Sequence, residues 1–403
     1  MALRRPIRLR SRILLLLPAA ALLVLAAACS SGSSSAGANV GATAGANNNS
    51  GSTQANLTGV PTLQQMYDGL ATNPPSSSPP PAKHKTVYWV SCGQADPTCA
   101  LYAAEGQKAA QALGWTFKLA DGALTDAGRL AATRTAVAAH PDAIVLSHFS
   151  CATVKPPLQT AKAEGILVLG LETMDCNESG DGPPLFTAPI EYNKDDLNGL
   201  THWQSYGKTS ADFIMRDSNG HAQIITGLGQ ADPQFDTMDQ AFYNELKKCP
   251  GCQVVDKVNW TIEDLSPSGP WIPALRNALL QHPNATYLYI PFDFQWAAVG
   301  AAQAVAQSGL KIKTVGGIGD PAGMALISQG LLYASPTARP GAWMAWAAMD
   351  ELNRAFNHQP AVPEGVGFTL VTKDHNLPSG SNARFEGNID FRAAYLKAWG
   401  VSG

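Results

Sequence analysis

At 403 residues the chain exceeds what one hydrophobic core usually holds, so two lobes are expected. A formal charge of −3, with no Lys/Arg run beyond the first dozen residues, excludes a nucleic-acid surface. After the N-terminal stretch no apolar run approaches ~18 residues, which excludes a further membrane-spanning helix.

The chain opens as a processing signal. Arg4, Arg5, Arg8, Arg10 and Arg12 precede an apolar run from Ile13 to Leu25, and small residues lead to Cys29. The sequence "LAAAC" resembles the bacterial lipobox, with Ala26 where Leu is commoner. That resemblance implies a signal peptide over 1–28, diacylglyceryl on the Cys29 thiol, and attachment to the outer face of the cell membrane. The alternatives are a simple membrane anchor and a free secreted chain. Ser, Gly, Ala, Asn and Pro dominate the stretch after Cys29, as in "NPPSSSPPPA". Such composition buries too little apolar surface to offset ordering entropy, so 29–84 is read as a disordered tether. "TLQQMYDGL" within it is read as a transient helix at most.

From Lys85 onward, short β-rich runs alternate with helical patterns. Expected strands are Thr86–Val90, Thr116–Leu119, Ala143–Ser147 and Leu167–Leu171. A second set is His221–Thr226, Gln253–Trp260, Thr286–Pro291, Ile312–Gly316 and Leu332–Ser335. Trp271, Leu275 and Leu279 recur every four residues, as one buried helix face requires. Strict alternation of strand and helix predicts an α/β protein with two doubly wound, parallel-sheet lobes.

Seven cysteines less Cys29 leave an even remainder, which suits disulfides in an exported chain. Spacing proposes Cys92 with Cys99, Cys151 with Cys176, and Cys249 with Cys252. A redox-active CPGC normally opens a helix; this one closes a helical pattern, "NELKKC".

One pentapeptide, GQADP, occurs twice, at Gly93–Pro97 and Gly229–Pro233, each time between an apolar run and a helical one. A related junction ends in Gly319-Asp320-Pro321. Asp is a strong N-cap and Pro suits the first helical turn, so capping alone accounts for Asp96, Asp232 and Asp320. In doubly wound sheets ligands also sit where strands end, which makes Gln94 and the three aspartates ligand candidates.

Several segments, in order, resemble the type I periplasmic substrate-binding proteins, and within them the ribose/xylose-like sugar-binding branch of ABC importers. They are "DPTCALYAAEGQKAAQALGW", "HPDAIVLS", "AKAEGILVLGLET", "ALLQHPNATYLYIPFDFQWAAVGAAQAVAQSG" and "KTVGGIGDPAGMALISQGLL". The resemblance implies two lobes joined by three strand crossings, near Ala188–Tyr192, Thr337–Pro340 and Gly367–Thr369. It places 85–188 with 340–367 in an N-terminal lobe, and 189–339 with 368–403 in a C-terminal one. It also implies a ligand enclosed between the lobes, an ABC permease in the membrane as partner, and work as a monomer.

The family's ligand set carries over in part. Where sugar binders show Asp-Arg after the fourth strand, this chain has Glu172-Thr173. Where an Arg follows the second-lobe turn, it has "QFDTMDQAF", with Asp236. These departures point away from ribose itself. Phe235, Trp260, Phe292 and Phe294 fall near strand ends, where aromatic faces pack on sugar C–H faces or on cations. Trp89, inside a strand, reads as core. Asp293, between Phe292 and Phe294, has little evident structural reason and is the leading ligand candidate. His148 either lines the first-lobe wall or is a surface histidine. A neutral sugar or polyol, or a cationic solute, fits such a cleft. No nucleophile elbow, metal-binding His pair or phosphate loop occurs, so no enzyme, cofactor or metal is expected. The competing functions are a ligand-sensing lipoprotein and an exported CPGC oxidoreductase.

Overall fold

A computed structural model describes residues 57–265, 268–380 and 382–401; the expected signal and Cys29 lie outside the described residues. Among the described residues no helix is long and apolar enough to cross a membrane.

The first described segment departs from expectation. Composition predicts tether for residues 57–84, yet they form a strap packed along the fold. Helix α1 (Leu63–Asp68) begins with a capping box between Thr62 and Gln65 and buries Met66. Leu57, Val60 and Met66 join a cluster with Phe213, Ile214 and Leu370. Further on, the strap is gripped by its carbonyls. Arg216 donates to Leu57 and Pro61 oxygens, Arg354 to Ser77, Asn353 to Pro79, and Trp115 to Ala82. A segment poor in apolar side chains is thus ordered through its backbone.

The first sheet holds β1 (Thr86–Ser91), β2 (Thr116–Asp121), β3 (Ala143–Ser147) and β4 (Leu167–Leu171) in the order β2-β1-β3-β4, all parallel. β3 is buried along its whole length, as a parallel strand covered on both faces must be. Its crossover helices are α2 (Pro97–Ala112), α3 (Asp126–Ala138) and α4 (Cys151–Ala163). Trp89 of β1 is core, as expected.

The second sheet begins after the long helix α5 (Gly199–Asp217). In chain order it comprises β5 (Gln223–Thr226), α6 (Pro233–Leu246), β6 (Gln253–Lys257), α7 (Trp271–Gln281) and β7 (Tyr287–Tyr289). Two short helices come next, α8 (Asp293–Ala297) and α9 (Ala301–Ser308), then β8 (Lys313–Val315), α10 (Pro321–Gln329) and β9 (Ala334–Ala338). Trp271, Leu275 and Leu279 of α7 are all buried, as their spacing predicts. The strand order is β10-β9-β8-β7-β5-β6, where β10 (Thr369–Thr372) runs antiparallel to β9. The two doubly wound parallel-sheet lobes are as expected, and β10, not among the expected strands, adds an antiparallel edge.

Between β9 and β10 the chain returns to the first sheet as α11 (Gly341–Phe356), which packs on α2. Two crossing segments lie side by side: Glu364 N donates to Glu191 O at 2.9 Å and Val366 N to Tyr192 O at 2.8 Å. The C-terminal part corrects a second expectation. Helix α12 (Phe391–Trp399), assigned from sequence to the second lobe, packs on α11 of the first, with Trp346 and Trp399 stacked at 5.5 Å. Cys92–Cys99, Cys151–Cys176 and Cys249–Cys252 are bonded in the pairs that spacing proposed.

Candidate functional site

Strand ends of both sheets face a common cavity of about 400 Å³. The first sheet contributes Asp96 and Thr98 after β1, Arg129 after β2 and His148 after β3. The second contributes Asp232, Gln234 and Phe235 after β5, and Trp260 and Glu263 after β6. Phe292, Asp293, Phe294 and Gln295 follow β7, and Asp320 follows β8. Every one lies past the carboxyl end of a parallel strand, where a doubly wound sheet leaves a crevice.

Eight of the eleven expected ligand residues line this cavity: Asp96, Asp232, Phe235, Trp260, Phe292, Asp293, Phe294 and Asp320. Capping and cavity lining coexist at the two GQADP junctions. Asp96 caps α2 with Oδ1, which accepts from Thr98 N at 2.9 Å and Cys99 N at 3.0 Å. Asp232 caps α6 with Oδ1, accepting from Gln234 N at 2.8 Å. The third junction differs. Asp320 makes no side-chain cap to α10; its Oδ2 accepts from Thr98 Oγ1, so the two sheets' junctions touch.

Asp293 has the structural role that sequence reasoning did not see. Its Oδ2 accepts from Ile318 N at 2.9 Å and Asp320 N at 3.0 Å, fixing the β8–α10 loop. A Cβ on Gly317 or Gly323 would lie 2.3 or 1.7 Å from its Oδ1, so glycine is required at both positions for this close approach. Burial, followed by the Asp320 charge, pushes the Asp293 carboxyl up to about 7.

Three expected residues do not line the cavity. Gln94 folds onto its own loop, donating to Ser91 Oγ at 2.7 Å. Asp236 is exposed on α6. Glu172 lies behind the cavity, fully buried, at the centre of a network. It accepts from Tyr102 OH at 2.8 Å and Arg339 Nη2 at 2.8 Å, and meets His148 Nδ1 at 2.9 Å and His202 Nε2 at 3.1 Å. Burial alone disfavours its charge, but Arg339, His148 and His202 outweigh that and hold its carboxyl well below the usual range. His202 is disfavoured as a cation by burial, yet Asp196 and Glu172 raise it to about 9. The Arg missing beside Glu172 in sequence thus arrives from β9's end. Glu172 and His148 are each the first residue after neighbouring strands, and both adopt left-handed backbone, with φ 50° and 65°. That conformation costs a non-glycine residue ~1 kcal/mol and is held here by the network.

The aromatic wall is one group. Phe235 lies 5.2 Å from Trp260 and 5.7 Å from Phe292, ring centre to ring centre. Trp260 Nε1 donates to Gly227 O at 2.9 Å, so the indole's remaining contribution is apolar. Phe294 is 40% exposed. Sequence reasoning missed Arg129, Gln234, Glu263 and Gln295. Arg129 had a signal: it lies just inside a fourth strand-to-helix junction, four residues past its N-cap Thr125. Among the described residues, buried polar atoms on the lining residues Arg129 (Nε), Asp293 (Oδ1) and Gln295 (Oε1) have no hydrogen-bond partner.

Two doubly wound sheets with a cavity at their facing strand ends define a two-lobed solute-binding protein. Residues 87–359 match the periplasmic binding protein domain, and the chain belongs to that family. The family consists of binding proteins, not enzymes. No curated protein matches the sequence. Among solved structures, a galactofuranose binding protein is 21% identical, covering 72% of this chain and 95% of its own, with a TM-score of 0.55. GanP, a glucose-galactose binding protein from Geobacillus stearothermophilus, is 15% identical over 73% and 99%, with a TM-score of 0.60. A 5-methylthioribose transporter solute binding protein from Thermotoga lettingae is 17% identical over 82% and 95%, with a TM-score of 0.59. At these identities the likeness is one of fold.

Proposed function

We propose that this chain is an extracytoplasmic receptor for a small polyhydroxylated ligand, a sugar or polyol, which it captures between its lobes and delivers to an ABC importer. The observation that carries this reading is the cavity itself: an aromatic wall beside carboxylates, where the strands of two sheets end. Aromatic faces take a sugar's C–H faces while carboxylates accept from its hydroxyls. The similar structures named for galactofuranose, for glucose and galactose, and for 5-methylthioribose support the same ligand class. Rotation of one lobe on the other at the three crossings encloses the ligand, and a membrane permease receives it. Cys29 carries diacylglyceryl and holds the chain on the outer face of the cell membrane.

A thermal-shift screen over sugars and polyols tests the ligand class, because a ligand bound only to the native state raises the melting temperature. A concentration-dependent shift from at least one member is expected; none from any member overturns the reading. Metabolic labelling with a fatty-acid analogue tests the anchor: the label is expected on the wild type and lost in Cys29→Ala.

A further inference from the structure

The cavity's charges do not balance. Five carboxylates line it, those of Asp96, Asp232, Glu263, Asp293 and Asp320. Among the described residues none of the five is in an ion pair. Among the described residues Arg129 is the sole Lys or Arg lining the cavity, and its Nη1 is 3.3 Å from Asp126; Arg339 and Arg384 stand on the far side of Asp320. His148 turns its Nδ1 to Glu172. Elsewhere some buried acids are paired, Glu172 with Arg339, Asp350 with Arg354 and Asp212 with Lys208, while Glu351 and Glu364 are buried without an ion pair among the described residues.

Two of the five come from opposite lobes and share one neighbour. Thr98 N donates to Asp96 Oδ1 at 2.9 Å, and Thr98 Oγ1 donates to Asp320 Oδ2. Asp96 Oδ2 and Asp320 Oδ1 take no hydrogen bond among the described residues. Bringing like charges together as two lobes meet is unfavourable unless something positive lies between them. One further acceptor on a lining residue, Gln295 Oε1, is buried with no donor among the described residues, and the residue is only 1% exposed; Asp293 Oδ1, likewise without a donor, lies against Gly317 and Gly323. Hydroxyl groups satisfy acceptors but leave the charge. An ammonium group supplies three donors and a positive charge. The aromatic wall of Phe235, Trp260 and Phe292 also favours a cation beside it.

We propose that the ligand is a polyhydroxylated amine, its protonated nitrogen held between Asp96 and Asp320 and its carbon skeleton against Phe235 and Trp260. This deepens the sugar or polyol reading and rests on it.

Titration calorimetry at neutral pH on matched compounds tests it. One set is glucose, glucosamine and N-acetylglucosamine; another is sorbitol and 1-amino-1-deoxysorbitol, with further aminosugars alongside and butylamine as an amine without hydroxyls. The amino member of a pair is expected to bind roughly 30-fold tighter than its neutral counterpart. Acetylation of the nitrogen is expected to remove the gain. Asp96→Asn and Asp320→Asn keep the acceptors to Thr98 and are each expected to reduce the preference several-fold. A neutral compound that binds as tightly as its amine overturns this inference and leaves the polyol reading standing. Butylamine binding as tightly as the aminosugars overturns the polyol reading, and this inference with it. The absence of binding by every amine in the set at about 10 mM also overturns it.

Discussion

Glu172 and Asp320 each follow a parallel strand's carboxyl end, and the fold treats them in opposite ways. Glu172 is surrounded by Tyr102, His148, His202 and Arg339, and its charge is matched. Asp320 takes one side-chain hydrogen bond, from Thr98, and burial with the nearby Asp96 charge raises its pKa. An acid at a strand end thus serves one of two ends. Paired, it ties a strand end to the crossing segment; without an ion pair, it keeps a carboxylate oxygen at the cavity.

The comparison breaks most visibly at Glu172. Glu172→Ala leaves Arg339 buried without its counter-charge and His202 with Asp196 alone, and a loss of about 3–5 kcal/mol in urea unfolding is expected. A loss below about 1 kcal/mol would show that the network is not what holds the crossings. The pH dependence comes next. His202 is raised to about 9 when folded, so its contribution is complete below its unfolded pKa of ~6.5 and is lost as pH climbs through about 9. The loss across that window is expected to be ~3 kcal/mol. Glu172 acts in the other direction: its folded pKa is depressed, so its contribution is complete above ~4.3 and fades on acidification. Unfolding midpoints measured from pH 5 to 9 are expected to fall with rising pH in the wild type and to fall less steeply in His202→Gln, where the raised Asp293 carboxyl still contributes.

A smaller effect is expected on the cavity side. Replacing Cys92 and Cys99 together by Ser opens a loop with a sequence separation of 7. The cost is about 2 kcal/mol, read as a lower melting temperature. Asp320→Asn is expected to change stability least, within about 0.5 kcal/mol or slightly upward. The amide keeps an acceptor for Thr98 and removes the repulsion from Asp96. A large destabilisation by this variant would mean that Asp320 is structural, like Glu172.

Distance along the chain decided which of these features sequence could reveal. The two GQADP junctions were legible because a glycine exit, an Asp cap and a Pro in the first turn lie within five residues. The disulfides were legible for similar reasons, through short spacing or adjacent strand ends. Glu172 was misplaced because its partners Tyr102 and Arg339 stand 70 and 167 positions away. Asp293 lacked an evident structural reason because the loop it secures begins 25 residues later. The strap escaped for another reason. It is held by carbonyl oxygens, and a carbonyl is the same whichever side chain accompanies it.

That strap also has a mechanical meaning. It enters against α5 of the second lobe, where Arg216 takes hold of it, and ends on α11 of the first, where Asn353 and Arg354 do. Midway it runs over the crossing segment, with Leu70 N donating to Phe368 O and Thr72 N to Gly365 O. A cord that passes along the axle of a joint changes length little as the joint turns, so it leaves the jaws free to swing.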